Sequence, residues 1–307
     1  SRYRMSSLAL ASHPSTQLVR PASTELARQV IAQHSKSFAL ASKLLPRAAR
    51  DNAAMLYAWC RYVDDLVDEG HGSAAQVRPE QLVELAPDTI PQIYPRALLA
   101  GMAMDLDGTR YETVDDLITY AWRVAGTVGL MMTHVLGVAS DEALQPAAHL
   151  GIAMQLTNVC RDVGEDWQRG RLYIPDELLG SARGLARELG GDLPSSALPP
   201  LANAVRDLLA LADRYYRSAD RGIALLPWRA ALAVRSARSI YSAIGDQIAR
   251  VDHDVSARRA FVPHSGKLAR VAVEVARIAA SAPRRLWARQ RYAPPTKTLE
   301  LCDVQRL

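Results

Sequence analysis

Cysteine, aromatics and long apolar runs are all scarce in this chain of 307 residues, and each scarcity excludes something. Three cysteines, Cys60, Cys160 and Cys302, form no CxxC pair. So sparse and odd a set argues against a disulfide framework and for a reducing, cytoplasmic setting. No apolar run approaches the roughly 20 residues of a membrane span, and the N-terminus shows no long apolar signal core. Repeats of 20–50 residues and low-complexity tracts are absent as well. Aromatics make up 6% of the chain and Phe occurs twice, so Ala, Leu, Val and Met must fill most of a core that is 49% hydrophobic by composition. Ala and Leu are strong helix formers, which points to an all-α fold. The net charge of +5 favours anionic partners without choosing among phosphates, nucleic acid and acidic membranes.

Helical periodicity runs through most of the chain. A first helix is expected over 24–45, stopped by Pro46, and a second over 48–69, ended by Gly70. The Gly- and Pro-rich stretch 70–95 reads as irregular. Another helix should cover 96–106. Thr113, with Asp115 and Asp116 behind it, caps a long one reaching 136. Ser140-Asp141-Glu142 caps the next, to about 168. A loop with Pro175 and a short helix after Ser181 lead to two long helices over 198–222 and 227–251, and a last one over 265–282. The reading is a single all-α helical bundle at 24–282 with a central cavity. An N-terminal extension, 1–23, precedes it, and a basic tail, 283–307, follows; the tail's Pro294-Pro295 and arginines suggest loose order.

Two segments carry chemistry: Tyr57-Ala-Trp-Cys-Arg-Tyr-Val-Asp-Asp-Leu-Val-Asp68 and Gln155-Leu-Thr-Asn-Val-Cys-Arg-Asp-Val-Gly-Glu-Asp166. Tyr57, Arg61, Asp64 and Asp68 fall at i, i+4, i+7 and i+11, which keeps them on one helix face. Gln155, Asn158, Asp162 and Asp166 obey the same rule at i, i+3, i+7 and i+11. Each is a polar stripe inside apolar sequence, and burying charge without partners costs several kcal/mol. Carboxylates at i and i+4 also repel one another. A hard divalent ion with oxygen ligands answers both problems, since Mg²⁺ binds through one or two carboxylates plus substrate phosphates. Asp65, Arg161 and Glu165 stand beside the stripes as supports. A lone DxxxD is more often a solvated face, and Arg61–Asp64 or Arg161–Glu165 could be plain ion pairs worth about 0.3–0.5 kcal/mol. Two such faces in one chain shift the balance towards function.

At these residues the chain resembles the squalene/phytoene synthase family, most nearly its phytoene-forming bacterial branch. The run from Asn158 through Arg169-Gly-Arg-Leu-Tyr-Ile-Pro175 is similar to the family's second aspartate motif and its trailing loop, and 57–68 to the first. His34-Ser-Lys-Ser-Phe38 resembles its N-terminal substrate-binding segment; Gly101-Met-Ala-Met-Asp105 and Val124-Ala-Gly-Thr-Val-Gly129 are further matches. The likeness covers most of 28–270. One departure stands out: Gly101 follows Asp68 by 33 positions, roughly half the interval the resemblance implies, where a helix or more belongs. Either a segment is naturally deleted here or the sequence in hand omits one; Glu80 to Pro87 joins an apparent helix start directly to a loop, which favours omission and leaves open the pocket wall there but not the aspartates.

The resemblance implies an isoprenoid-synthase fold and head-to-head condensation of two geranylgeranyl diphosphates to phytoene through a cyclopropyl (prephytoene) diphosphate. It further implies Mg²⁺, or Mn²⁺ in its place, held by Asp64, Asp68, Asn158, Asp162 and Asp166, with Tyr57 and Arg61 at the reacting end. His34, Ser35, Lys36, Ser37, Arg61, Arg161, Arg171 and Lys267 would meet the diphosphates, and Tyr57, Gln155, Tyr173 and Tyr241 the reacting carbons. Met102, Met104, Met131, Met132 and Met154 would line an oily tunnel, although a Met stripe is more often ordinary core. Trp59 and Trp122 read as packing residues, and Gly126 and Gly129 as close helix approach or as room for substrate. NADPH is not expected, because phytoene formation needs no reductant. The rivals are squalene or dehydrosqualene synthesis from C15 substrates and a non-catalytic scaffold; all four motif aspartates being present speaks against the latter. A nucleic-acid partner is not expected, since the arginines are scattered rather than aligned on one helix face. Arg284, Arg285, Trp287, Arg289 and Arg291 suggest peripheral contact with an anionic membrane.

Overall fold

Ser35 splits the first expected helix in two. In the computed structural model, which describes residues 24–68, 90–189, 191–254, 260–287 and 291–304, α1 spans Thr24–His34 and α2 spans Lys36–Ser42. Ser35 takes an extended conformation, and its hydroxyl accepts a hydrogen bond from the Phe38 amide at 3.3 Å. A serine that bonds its own neighbourhood competes with helix continuity and makes a good N-cap. Helix α3, Arg47–Asp68, follows the Pro46 stop and packs on α1. The two are clamped by Arg28, whose Nε donates to Asp51 at 2.8 Å.

Helix α4 spans Ile93–Leu106 and begins three residues earlier than expected. Pro95 falls in its first turn, where a missing N–H costs nothing. Helix α5, Val114–Ala121, opens on a capping box in which Thr113 and Asp116 serve each other's backbone amides. The chain then passes through a π-helical turn, Trp122–Gly126, into α6, Thr127–Leu136. Helix α7, Leu144–Gln168, is the central element, with buried residues on most of its circumference. Gly151 explains the π turn opposite: a Cβ there would stand 2.1 Å from the Ala125 carbonyl oxygen. Gly129 behaves likewise, 2.2 Å from the Ala147 oxygen, so at this position the glycine serves close helix approach. Trp59 and Trp122 are buried packing residues.

The short helix expected after Ser181 is replaced by 3₁₀ turns at Gly180–Ala182 and Leu185–Arg187. Helices α8, Leu198–Ile223, α9, Trp228–Ala249, and α10, His264–Trp287, complete the bundle. The last of these runs five residues past its expected end at 282. No helix among the described residues is long and apolar enough to cross a membrane.

The tail overturns its expectation of loose order. Val138 and Ala293 exchange backbone hydrogen bonds at 2.9 and 3.1 Å, Thr296 donates its amide and hydroxyl to Asp141, and the Leu299 amide donates to the Tyr94 hydroxyl at 3.0 Å. Leu299, Leu301 and Val304 pack against the main core. Composition suggested looseness because these partners lie far away in sequence and leave no local signature.

Candidate active site

Helix α3 presents Tyr57, Cys60, Arg61 and Asp64 to a mouth cavity of ≈ 220 Å³, which Asp105 of α4, Tyr120 of α5 and Gln155 of α7 also line. Tyr57, Cys60 and Gln155 continue into a deeper, mostly apolar cavity of ≈ 340 Å³. Its walls pass Met132 and Met154 and end around Leu136, Ala143 and Leu226. Tyr57, Arg61 and Asp64 of the first stripe and Gln155 and Asn158 of the second thus line these two cavities, whereas Asp162 and Asp166, further along α7, line neither. A more polar cavity of ≈ 790 Å³ lies between α8, α9 and α10, away from the α3 stripe.

On the α3 side, Arg61 Nη1 donates to Asp64 at 3.0 Å. Burial pushes the Tyr57 hydroxyl up to about 12, with Tyr241 adding to the shift and Arg61 opposing it. On the α7 side, Asn158 reaches the deep cavity, and its buried Oδ1 has no hydrogen-bond partner. Asp162 is held by Arg161 through two bonds, from Nε at 2.7 Å and from Nη2 at 2.5 Å. Asp166 is pushed up to about 7, first by burial and then by Asp162, with Arg169 and Arg171 pulling the other way. Tyr241 of α9 joins the two sides: it feels Tyr57 and Arg161 alike and stacks on Phe38 of α2 with ring centres 5.4 Å apart.

The N-terminal segment reaches this site only in part. Phe38 leans on Tyr57 and Tyr241 and lines the deep cavity. Ser35 is spent on its cap, and His34 is exposed at the end of α1. Lys36 is exposed, yet close enough to Lys267 of α10 to lower its pKa, although burial is the larger cause there. Arg171 feels Asp166 on one side and Tyr111 and Tyr173 on the other. Tyr173 lies on neither cavity wall and instead donates to Asp105 at 2.7 Å. The side chains of Ser37, Asp65 and Asp68 lie outside the described residues, as do 1–23, 69–89 and the side chains of Arg284, Arg285, Trp287 and Arg289.

The methionine stripe divides. Met132 and Met154 line the deep cavity and Met102 the mouth, but Met131, one residue further round α6, is fully buried core. Met104 meets the Arg123 guanidinium through its sulfur at 3.3 Å.

Among the described residues, no three acidic, histidine or cysteine side chains converge closely enough to hold a metal unaided. What α7 offers is an amide oxygen buried without a donor, followed by a carboxyl kept protonated to about neutrality first by burial and then by Asp162. The two positions lie about 12 Å apart along α7, so separate hard cations, each also taking oxygens from a bound diphosphate, would satisfy them, and the donor set fits Mg²⁺ completed by substrate.

A model of the squalene/phytoene synthase family matches residues 31–86 and 80–265. The two pieces meet at 80–86, inside the interval that is short for the family. A 15-cis-phytoene synthase from a Paracoccus species is 39% identical over 252 residues, covering 72% of this chain and 80% of that one. Another, from Enterobacter agglomerans, is 36% identical over 293 residues, covering 83% and 98%. Among solved structures, a dehydrosqualene synthase in complex with ligand superposes with a TM-score of 0.73 at 26% identity, covering 85% of this chain and 98% of that one. A family match over most of the chain, joined to relatives above 30% identity along most of their own length, places this protein in the squalene/phytoene synthase family.

Proposed function

We propose that this chain condenses two geranylgeranyl diphosphates head to head, through a cyclopropyl diphosphate, to phytoene, a step of carotenoid biosynthesis. The observation that carries the reading is the continuity of the two cavities at Tyr57, Cys60 and Gln155. A prenyl diphosphate has that same polarity, an anionic head on a long apolar tail. Relatives named 15-cis-phytoene synthase, and not their C15-using cousins, supply the chain length.

Asp64 and Asp68 from α3, and Asn158, Asp162 and Asp166 from α7, would hold Mg²⁺, with Mn²⁺ as a chemical substitute. When bound, the cation neutralises diphosphate and makes it a competent leaving group. Arg61, Arg161, Arg171, Lys36 and Lys267 supply the remaining positive charge to the phosphate oxygens. Tyr57 and Gln155 stand at the junction, with Tyr241 on the wall of the apolar cavity, and there the first allylic carbon would ionise. The second substrate's double bond then attacks that carbon and loss of a proton closes the cyclopropane; departure of the second diphosphate, rearrangement and a further proton loss give phytoene. The apolar walls beyond exclude water, which would quench each cation. Peripheral membrane contact belongs to the same proposal: Phe261, Leu268 and Val275 recur every seven residues and are 72%, 48% and 45% exposed, an apolar edge suited to delivering an oily product.

Incubation with C15 or C20 diphosphate, with and without Mg²⁺ and NADPH, tests the reading. Phytoene should form from the C20 substrate, stop in chelator and be indifferent to NADPH. Faster conversion of the C15 substrate to squalene or dehydrosqualene would replace the assignment.

Asp166 supplies an independent test of the metal. Its folded pKa of about 7 exceeds the ordinary carboxyl value of about 4. Between these pH values the folded form keeps a proton that the unfolded form has released. Asp166 therefore subtracts stability as pH rises through this window. A cation at Asp166 favours the charged form, so the melting-temperature gain from Mg²⁺ plus diphosphate should grow from pH 5.5 to pH 8. A gain that is flat or falling with pH would count against Asp166 as a ligand.

A further inference from the structure

Asp105 was not singled out among the site residues, yet it is the acidic group most fully engaged by neutral donors at the mouth. Tyr120 donates to its Oδ2 at 2.9 Å and Tyr173 to its Oδ1 at 2.7 Å. The rings of Tyr111, Tyr120 and Tyr173 form a closed cluster, with centres 5.5, 5.8 and 5.2 Å apart. Asp105 and Tyr120 both line the mouth cavity beside Arg61, Asp64, Tyr57 and Gln155. Tyr120 is 4% exposed, and its position is set by α5 and the capping box that starts it.

The direction of these bonds follows from chemistry alone. A carboxylate only accepts, so in each of these two bonds the phenol donates its single hydrogen, and the two hydroxyls also lie within hydrogen-bonding reach of each other. Each phenol oxygen is then left with lone pairs and no proton to give. At a site where carbon cations form beside double bonds, that distinction matters. An inward O–H could protonate an alkene, whereas an oxygen lone pair backed by a carboxylate favours the nearby positive charge. Burial, with Asp105 second, raises the Tyr120 and Tyr173 ionisation well above the ordinary phenol range, so both stay neutral while so oriented.

We propose that Asp105 is a positioning residue of the reaction, which holds the Tyr120 hydroxyl hydrogen on its own carboxylate so that the phenol oxygen meets the substrate only as an acceptor. This rests on the prenyl-diphosphate reading above, and adds to it an acidic side chain outside both aspartate stripes. Asparagine at 105 keeps the shape but brings an NH₂ group, which must face one of the two phenols and turn that phenol's hydrogen elsewhere.

The test is a double-mutant cycle of Asp105→Asn and Tyr120→Phe, read on steady-state turnover of C20 diphosphate with Mg²⁺. Asp105→Asn should lower kcat by about 10²-fold while KM and the Mg²⁺ dependence stay within about two-fold. In the Tyr120→Phe background the same change should cost less than about three-fold, because its target is gone. Independent, multiplying losses in the double variant would overturn the proposal, and so would a rise in KM at constant kcat or undiminished kcat in Asp105→Asn. Should Asp105→Asn fail to fold by circular dichroism, Tyr173→Phe takes its place, since it leaves the carboxylate and Tyr120 together. It should then keep kcat within about ten-fold, and a larger loss would contradict a role acting through Tyr120. If the wild type makes a product other than phytoene, the substrate assignment falls alone, and the cycle read on that product still decides Asp105.

Discussion

Replacing Asp162 by alanine should reduce turnover by on the order of 10³-fold or more while leaving the helical content intact. Asp162 is 15% exposed and holds Arg161 through two short bonds, so it is committed to a cation already. On the reading proposed above that commitment would be shared, with the carboxylate available to the metal and Arg161 to the phosphate oxygens. Alanine removes the metal's oxygen and strands a guanidinium that is equally buried. It also relieves Asp166, whose raised pKa owes its second-largest part to Asp162. The stability cost should be about 2 kcal/mol, below that of breaking a fully buried pair, because both groups keep some access to water. Product formation from labelled geranylgeranyl diphosphate and a thermal melt measure the two effects separately. Activity within ten-fold of wild type would remove Asp162 from the metal site.

The largest structural effect is expected from Gly151→Ala. The added carbon would lie 2.1 Å from the Ala125 oxygen, 2.5 Å from its carbon and 2.7 Å from the Gly126 nitrogen. All three are backbone atoms of the π turn, so no flexible side chain can move aside. Helix α7 would have to separate from that turn along the wall shared by Met154 and Asn158. We expect a loss of about 3 kcal/mol or more, which lowers the melting temperature by roughly 5 °C or more. Gly245→Ala in α9 is the control: its nearest neighbour is the end of the Leu209 side chain at 3.4 Å. There the helix-propensity gain of alanine should leave stability unchanged or slightly raised. Equal melting temperatures for the two variants would mean that the close crossing at Gly151 is not structurally required.

Much of this architecture was legible from spacing. The stripes on α3 and α7 could be read because a 3.6-residue period is a local property of sequence. That Tyr57 and Gln155, one from each stripe, meet at one pair of cavities could not, because it depends on how α4, α5 and α9 close around them. The π turn was invisible for a similar reason. Trp122, Arg123, Val124 and Ala125 are ordinary helix residues, and the irregularity meets its partner at Gly151, on the other side of a helix crossing. Ser35 did carry a local signal, a serine able to cap α2, which the apolar pattern around it outweighed. Asp105 was quoted only as the end of a motif. Its meaning lies in Tyr120 and Tyr173, which stand 15 and 68 positions away. Phenols become informative when a topology brings them to one carboxylate.

The strap formed by 291–304 bears on the order in which the protein assembles. Thr296 and Asp141 are separated by 155 positions, so their contact closes a very long loop and can be rewarded only after that loop's entropy has been given up. Every helix that contributes to the mouth or the oily cavity lies upstream of the strap. The reaction chamber can therefore take shape on a growing chain before the strap is synthesised, with the belt fastened afterwards across a finished end.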